Sequence, residues 1–121
     1  MANENCIRTF SGIEDALYVI GGKWRLRIII ALFDGACRFN EIQRAVSGIS
    51  AKVLTDELRH LGLNGFIKRS GPDAPAKIYY ELTDYSKTLR PVVHALHDWG
   101  KAHRGRIMRP KTNRDATQTS S

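Results

Sequence analysis

Four polar side chains within the stretch Gly48-Ile-Ser-Ala-Lys-Val-Leu-Thr-Asp-Glu-Leu-Arg-His-Leu-Gly-Leu-Asn-Gly65 have the types and spacing to read a polyanion. On a helical wheel Lys52, Thr55, Asp56 and Arg59 fall within about 100° of arc, opposite Leu54, Leu58 and Leu61. Lysine and arginine donate to phosphate oxygens and to guanine O6 and N7. Thr55 offers a methyl and a hydroxyl, and Asp56 can accept from cytosine N4 or pair with Arg59 three residues on. Ser50 precedes the helix, where it caps the N-terminus and can meet a phosphate. Two other groups have chemistry of their own. The thiolate of Cys6 is the reactive form, and a helix N-terminus or Arg8 nearby would favour it. His94 and His97, three apart with Asp98 adjacent, make half of a metal site. No second ligand pair accompanies them, so neither a metal nor a cofactor is expected. Gly21-Gly22-Lys23 lacks the frame of a phosphate loop.

The elements that must position these groups follow from periodicity and punctuation. Ser11-Gly-Ile-Glu14 has the form of a capping box, with Ile13, Ala16, Leu17 and Ile20 on one face behind it and Gly21-Gly22 as a stop. Lys23–Phe33 alternates in part like a strand, but its length favours a buried helix, broken by Asp34-Gly35. Asn40-Glu-Ile-Gln43 predicts a second capped start, with Phe39, Ile42 and Val46 as the apolar side. Ser47-Gly48 interrupts, Ser50 caps the quoted helix, and Asn64-Gly65 ends it, which is the outline of a helix-turn-helix. Phe66–Ser70 and Lys77–Leu82 predict a two-stranded hairpin around the turn residues Gly71–Pro75. From Thr83 to about Met108 a helical stripe returns, Leu89, Val92, Val93, Leu96 and Trp99, with a kink or break expected at Pro91. The expected fold is mainly α with a small β-hairpin (α+β): a winged helix-turn-helix with extra helices at both ends, spanning 1–109, followed by a disordered basic and polar tail at 110–121.

The totals agree with one domain that needs no disulfide staples. The chain has 121 residues and a formal net charge of +7, which raises the prior for an anionic partner, nucleic acid first. Most of the excess lies after residue 82, where eight Lys and Arg stand against three acids. A nucleic-acid surface earlier in the chain must therefore come from placement. The run Lys101–Arg114 carries six Lys and Arg and no acid and reads as a solvated tail or an auxiliary DNA contact. The longest apolar run, Ile28–Phe33, is too short for a membrane span, and the N-terminus has no secretory pattern, so a cytoplasmic protein with reduced thiols is expected.

Taken in order, Ile20-Gly-Gly-Lys-Trp24, Asp34-Gly35, Arg38-Phe-Asn-Glu-Ile42, Gly48-Ile-Ser-Ala-Lys-Val-Leu-Thr55, Leu58, Gly65, Arg69, Tyr80-Glu-Leu-Thr83, Leu89-Arg-Pro-Val92 and Trp99-Gly100 resemble the HxlR-type family of bacterial winged-helix transcriptional regulators, within the MarR-like group. One departure is Gly62, where the family usually has an acid. The resemblance implies a homodimer that binds double-stranded DNA and answers to thiol-reactive compounds or small effectors. It implies DNA contacts from Arg38, Asn40 and Ala51, added to Ser50, Lys52, Thr55, Asp56 and Arg59, with Lys68, Arg69 and Lys77 of the wing along the phosphates. It also implies Cys6 as a sensor, Cys37 being structural or a second redox site. The apolar stripes Ile13, Leu17, Ile20 and Leu89, Val92, Val93, Leu96, Trp99 exceed what the small body needs and are the expected dimer face. A twofold dimer would place half-sites about one helical turn apart. The expected function is a repressor reading an inverted repeat. A winged helix used for protein contact alone, and a small enzyme using Cys6 with a histidine, are the alternatives.

Overall fold

In the computed structural model, which describes residues 4–35, 37–71 and 78–108, the chain divides into two units, Met1–Leu89 and Arg90–Ser121. The first unit contains α1 (Glu4–Ile20), α2 (Arg25–Ala31), β1 (Cys37–Arg38), α3 (Phe39–Ala45), α4 (Ala51–Leu63), β2 (Ile67–Ser70), β3 (Tyr79–Leu82) and α5 (Asp84–Lys87). The second contains α6 (Arg90–Met108). This is the expected winged helix-turn-helix, mainly α, and it carries one strand more than the hairpin. Lys77, most of the wing loop and the tail from 110 onward lie outside the described residues.

The starts of α1 and α3 differ from their sequence signals, each for a local reason. The first helix begins at Glu4, so Ser11 and Glu14 sit in its middle. Nothing from Asn5 to Phe10 breaks a helix, and the backbone ladder runs on through the capping pattern. The helix expected to begin behind Asn40 begins at Phe39, with Arg38 extended at the N-cap (φ −84°, ψ 162°). The Glu41 carboxylate accepts from the Arg38 N–H at 2.7 Å, so an acid in the first turn supplies the cap. The C-terminal stripe breaks just ahead of Pro91, one of the two outcomes the proline predicts. α5 ends at Lys87, and Pro91 falls in the first turn of α6, where a missing N–H forfeits no helical bond.

The core of the first unit is one cluster. Ile28, Ile29 and Leu32 from the α2 region meet Ile42, Val46 and Ile49, the α4 residues Leu54, Leu58 and Leu61, and Phe66, Ile67 and Leu82. The helical assignment of α2 follows from this, since only a helix turns consecutive Ile28 and Ile29 and then Leu32 toward one core. Each buried leucine of α4 contributes roughly 1.5–3 kcal/mol toward holding the helix on the body. The sheet is three-stranded and antiparallel, in the order β1-β3-β2. β1 pairs Cys37 with Tyr80 and Arg38 with Tyr79; β2 pairs Ile67 with Leu82 through to Ser70 with Tyr79. Below the sheet, Thr83 caps α5 and donates to the Gly65 carbonyl at 2.6 Å, while the fully buried Ser86 hydroxyl donates to the Phe66 carbonyl. These bonds fix the chain where α4 hands over to β2.

Candidate nucleic-acid interface

α3 and α4 are joined by a tight turn at Ser47–Ser50. Gly48 adopts φ +92°, a backbone state that L side chains rarely enter. Gln43 closes the turn from inside, donating to the Ile49 carbonyl at 3.2 Å. Ser50 is extended, and its hydroxyl accepts from the Val53 N–H at 3.2 Å, the N-cap the sequence predicts. α4 ends at Asn64, and Gly65 at φ +80° turns the chain into the sheet.

Between these stops the two faces of α4 separate cleanly. Leu54, Leu58 and Leu61 are buried. Lys52, Thr55, Asp56 and Arg59 are exposed, as are Ser50 and Ala51 at the N-terminal end. Among the described residues neither Lys52 nor Arg59 takes part in an ion pair, and the Asp56–Arg59 pair is not formed. The two cations are therefore uncompensated and open to solvent. Thr55 donates its hydroxyl proton to the Ala51 carbonyl at 2.8 Å, which leaves the methyl and the oxygen lone pairs facing outward.

The flanking candidates fall on both sides of this helix. Arg38 is exposed and held in place: its Nη2 donates to the Tyr79 hydroxyl at 3.0 Å, and the guanidinium lies 5.2 Å from the Tyr79 ring centre. That hydrogen bond raises the Arg38 pKa further above its ordinary value, so the charge is permanent. Asn40 is exposed on α3. In the wing, Lys68 pairs across the sheet with Glu81 at 3.7 Å, whereas Arg69 forms no ion pair among the described residues. Lys77 is outside them.

Sequence reasoning missed the residues that set these groups in place. Tyr79 was seen only as part of a strand, because its contact with Arg38 depends on β1, two residues long and without readable alternation. Arg25 was missed as well. Its Nε pairs with Glu57 of α4 at 3.0 Å, and its Nη1 donates to the Tyr18 carbonyl of α1 at 2.6 Å. The Tyr18 ring also meets His60 of α4 edge-on at 6.3 Å. The C-terminal turn of α1 is thus tied to α4 twice.

The residues expected at a dimer face divide. Ile20 and Leu89 are half-buried and pack on the unit's own core. Ile13 and Leu17 are exposed on α1, as is Phe10 beside them. On α6, taken by itself, Val92, Leu96 and Trp99 are exposed and recur at helical spacing, and no residue of the helix is buried; Val93 is half-buried. His103 stacks on Trp99 with 5.0 Å between ring centres. Cys6 is exposed and lies within α1, not ahead of it. Cys37 is half-buried in β1. Burial, and then the negative charges of Glu41 and Asp34, push its thiol pKa up. No group of metal-ligating side chains forms among the described residues, and no described helix is long and apolar enough to cross a membrane.

Comparison with known proteins agrees with this geometry. Residues 19–108 match the family model described as HxlR-like helix-turn-helix. An uncharacterized HTH-type transcriptional regulator of Bacillus subtilis, YdeP, is 37% identical over 105 residues, covering 86% of this chain and 82% of that one. The solved structure of the redox regulator HypR in its reduced form superposes with a TM-score of 0.72 at 37% identity, over 77% of this chain and 93% of that chain. The reduced form of the transcriptional regulator YodB from B. subtilis gives 0.67 at 30% identity, over 84% and 96%. An exposed, uncompensated basic face on a leucine-anchored α4, in a winged body that such relatives share, fits one family: the chain belongs to the HxlR-like helix-turn-helix transcriptional regulators.

Proposed function

We propose that this chain is a homodimeric, sequence-specific repressor that lays α4 in the major groove of an inverted-repeat operator and its wing along the adjacent backbone. The observation that carries the reading is the division of α4. Its leucines are buried in the core, and its outward cations have no ion-pair partner among the described residues. Lys52 and Arg59 reach base edges or phosphates, Thr55 offers its methyl to thymine, and Asp56 accepts from cytosine. Ser50, Ala51 and Asn40 lie where the backbone passes the helix N-termini. Arg38 and Arg69 neutralise phosphates on either side, with Lys68 sharing its charge with Glu81 and Lys77 continuing the wing.

Two copies are required because one winged helix reads too few base pairs to find a site in a genome. The exposed stripe of α1 and that of α6 supply apolar surface for pairing. On α1, Cys6, Phe10, Ile13 and Leu17 recur at intervals of four, three and four, so the thiol lies at one end of the apolar face. HypR and YodB are redox and transcriptional regulators by name, and the position of Cys6 supports a thiol-responsive dimer here too. Alkylation or oxidation of Cys6 would put bulk and polarity into that seam and change how the pair presents its two α4 helices.

Selection of bound fragments from random DNA yields the operator, and fluorescence anisotropy measures its affinity. The expected result is an inverted repeat whose binding at about 0.15 M salt is lost in Lys52→Ala/Arg59→Ala. The exposed, unpaired character of both side chains leaves the variant folded. An operator affinity unchanged in that variant would refute the role of α4. Salt-insensitive or absent DNA binding by the native chain would favour a protein-contact module instead.

A further inference from the structure

A helix in the major groove has a phosphate strand along each of its flanks. On one flank of α4 stands the wing: Thr55, Arg59 and Gly62 line a groove with Ile67, Arg69 and Tyr80 of the sheet. The other flank, past Lys52 and Asp56 on the helical wheel, carries Glu57 and His60, and there α4 meets α1 and the start of α2. Lys23, Trp24 and Arg25 share a hollow of about 220 Å³ with Glu57. Trp24 is half-buried against the core. Its Cη2 lies 3.8 Å from where a Cβ at Gly48 would stand, so the ring abuts the turn that leads into α4. Two cations sit over this ring. The Lys23 Nζ is 4.7 Å from the ring centre and the Arg27 guanidinium carbon 5.8 Å. Both side chains are exposed, and neither forms an ion pair or hydrogen bond among the described residues, whereas Arg25 between them is paired with Glu57. The aromatic face orders the two stems before a ligand arrives and leaves their N–H groups free to donate.

We propose that Lys23 and Arg27 form a second phosphate clamp, gripping the DNA backbone on the flank of α4 opposite the wing, with Trp24 as the residue that positions them. The clamp rests on the DNA-binding reading of α4 given above. It brackets the recognition helix between cations on both sides and adds affinity without reading sequence.

The test measures binding of the full chain to its selected operator and to a random-sequence duplex of equal length, by fluorescence anisotropy from about 0.05 to about 0.3 M salt. Lys23→Gln/Arg27→Gln removes both charges and keeps aliphatic stems on the ring. Its log–log salt slope should be shallower by about 1.8 per bound subunit, about 0.9 for each phosphate released. Both duplexes should lose affinity by the same factor, because phosphate contacts carry no sequence information. Lys23→Arg/Arg27→Lys should keep the native slope. Arg8→Gln/Lys87→Gln removes the same net charge from two exposed sites elsewhere and should keep it too. Trp24→Leu should weaken both duplexes with the two cations still present. Thermal melts confirm that each variant is folded, and the glutamine pair stands alone if Trp24→Leu is not. An unchanged slope in the glutamine pair, an equal drop in Arg8→Gln/Lys87→Gln, or a loss confined to the operator would overturn the clamp. If Lys52→Ala/Arg59→Ala abolishes operator binding while the glutamine pair matches the native chain, the clamp falls and the reading of α4 stands. A native chain that binds neither duplex overturns both.

Discussion

Glycines at the two ends of α4 and inside it should respond to alanine in opposite directions, and the sizes follow from the backbone. Gly48 sits at φ +92° and Gly65 at φ +80°, both in the left-handed half of conformational space. A Cβ there costs about 1–2 kcal/mol from its contact with the neighbouring carbonyl. Surroundings add little: the new methyl at 48 would lie 3.8 Å from Cη2 of Trp24, ordinary contact, and at 65 nothing lies within 4 Å. Gly62 is helical, with its nearest foreign atom 3.9 Å from a built Cβ, so alanine gains helix propensity of up to about 1 kcal/mol, less because the position lies in the last turn. Urea unfolding read with a common m-value should therefore rank Gly62→Ala above the native chain, and Gly48→Ala and Gly65→Ala below it. In a body of this size 1 kcal/mol shifts Tm by about 4–8 °C, well within measurement. Asparagine at position 48 should recover part of the loss, because its side chain tolerates the left-handed region. A neutral Gly48→Ala, or a destabilising Gly62→Ala, would refute the claim that backbone conformation and not crowding makes these positions glycine.

Further outcomes follow from individual contacts. Ser86→Ala removes the buried hydroxyl that donates to the Phe66 carbonyl and should cost about 0.5–1.5 kcal/mol in urea melts, since that carbonyl still accepts from the Thr83 N–H at 3.2 Å. Arg25→Glu and Glu57→Arg should each weaken the α1–α4 tie, and the double reversal should recover a few tenths to about 1 kcal/mol of coupling for this partly exposed pair. A thiol reagent should modify the chain in two phases, the fast one lost in Cys6→Ser and the slow one in Cys37→Ser, because Cys6 is exposed while Cys37 is half-buried with a raised pKa. Cys37 also gives a pH signature. Its folded pKa lies above the ordinary 9.0, so the folded state holds the proton more tightly than the unfolded chain. Stability from this group is complete below 9.0 and is lost as pH rises past it; midpoints at about pH 8 and about pH 10 should fall further in the native chain than in Cys37→Ala.

Much of the interface was legible because its determinants are local. The helical period from Ser50 to Leu63 alone separates Leu54, Leu58 and Leu61 from Lys52, Thr55, Asp56 and Arg59, and a cap and two glycines bound the segment. Ser50 behaves as the pattern requires because an N-cap needs only the N–H groups of its own first turn. The start of α3 was misplaced by two residues for the same kind of reason. Asn40 and Glu41 are adjacent acceptors, and only the extended backbone at Arg38 decides which of them caps the helix.

What remained illegible depends on partners far along the chain. Arg38 is held by Tyr79, 41 residues away, through a strand of two residues that carries no periodicity. Arg25 reaches Glu57 across 32 residues, and nothing in the composition of α2 marks one of its two arginines as bridging and the other, Arg27, as exposed. The apolar stripes show the limit most clearly. Ile13, Leu17 and Ile20 share one period, yet Ile20 closes the core while Leu17 is 59% exposed. Periodicity states that a face will be covered; only the length of the body it lies against decides where cover from the same chain ends. On α1 that point falls between Leu17 and Val19, one turn before Gly21, and N-terminal to it the stripe residues Leu17, Ile13, Phe10 and Cys6 are exposed.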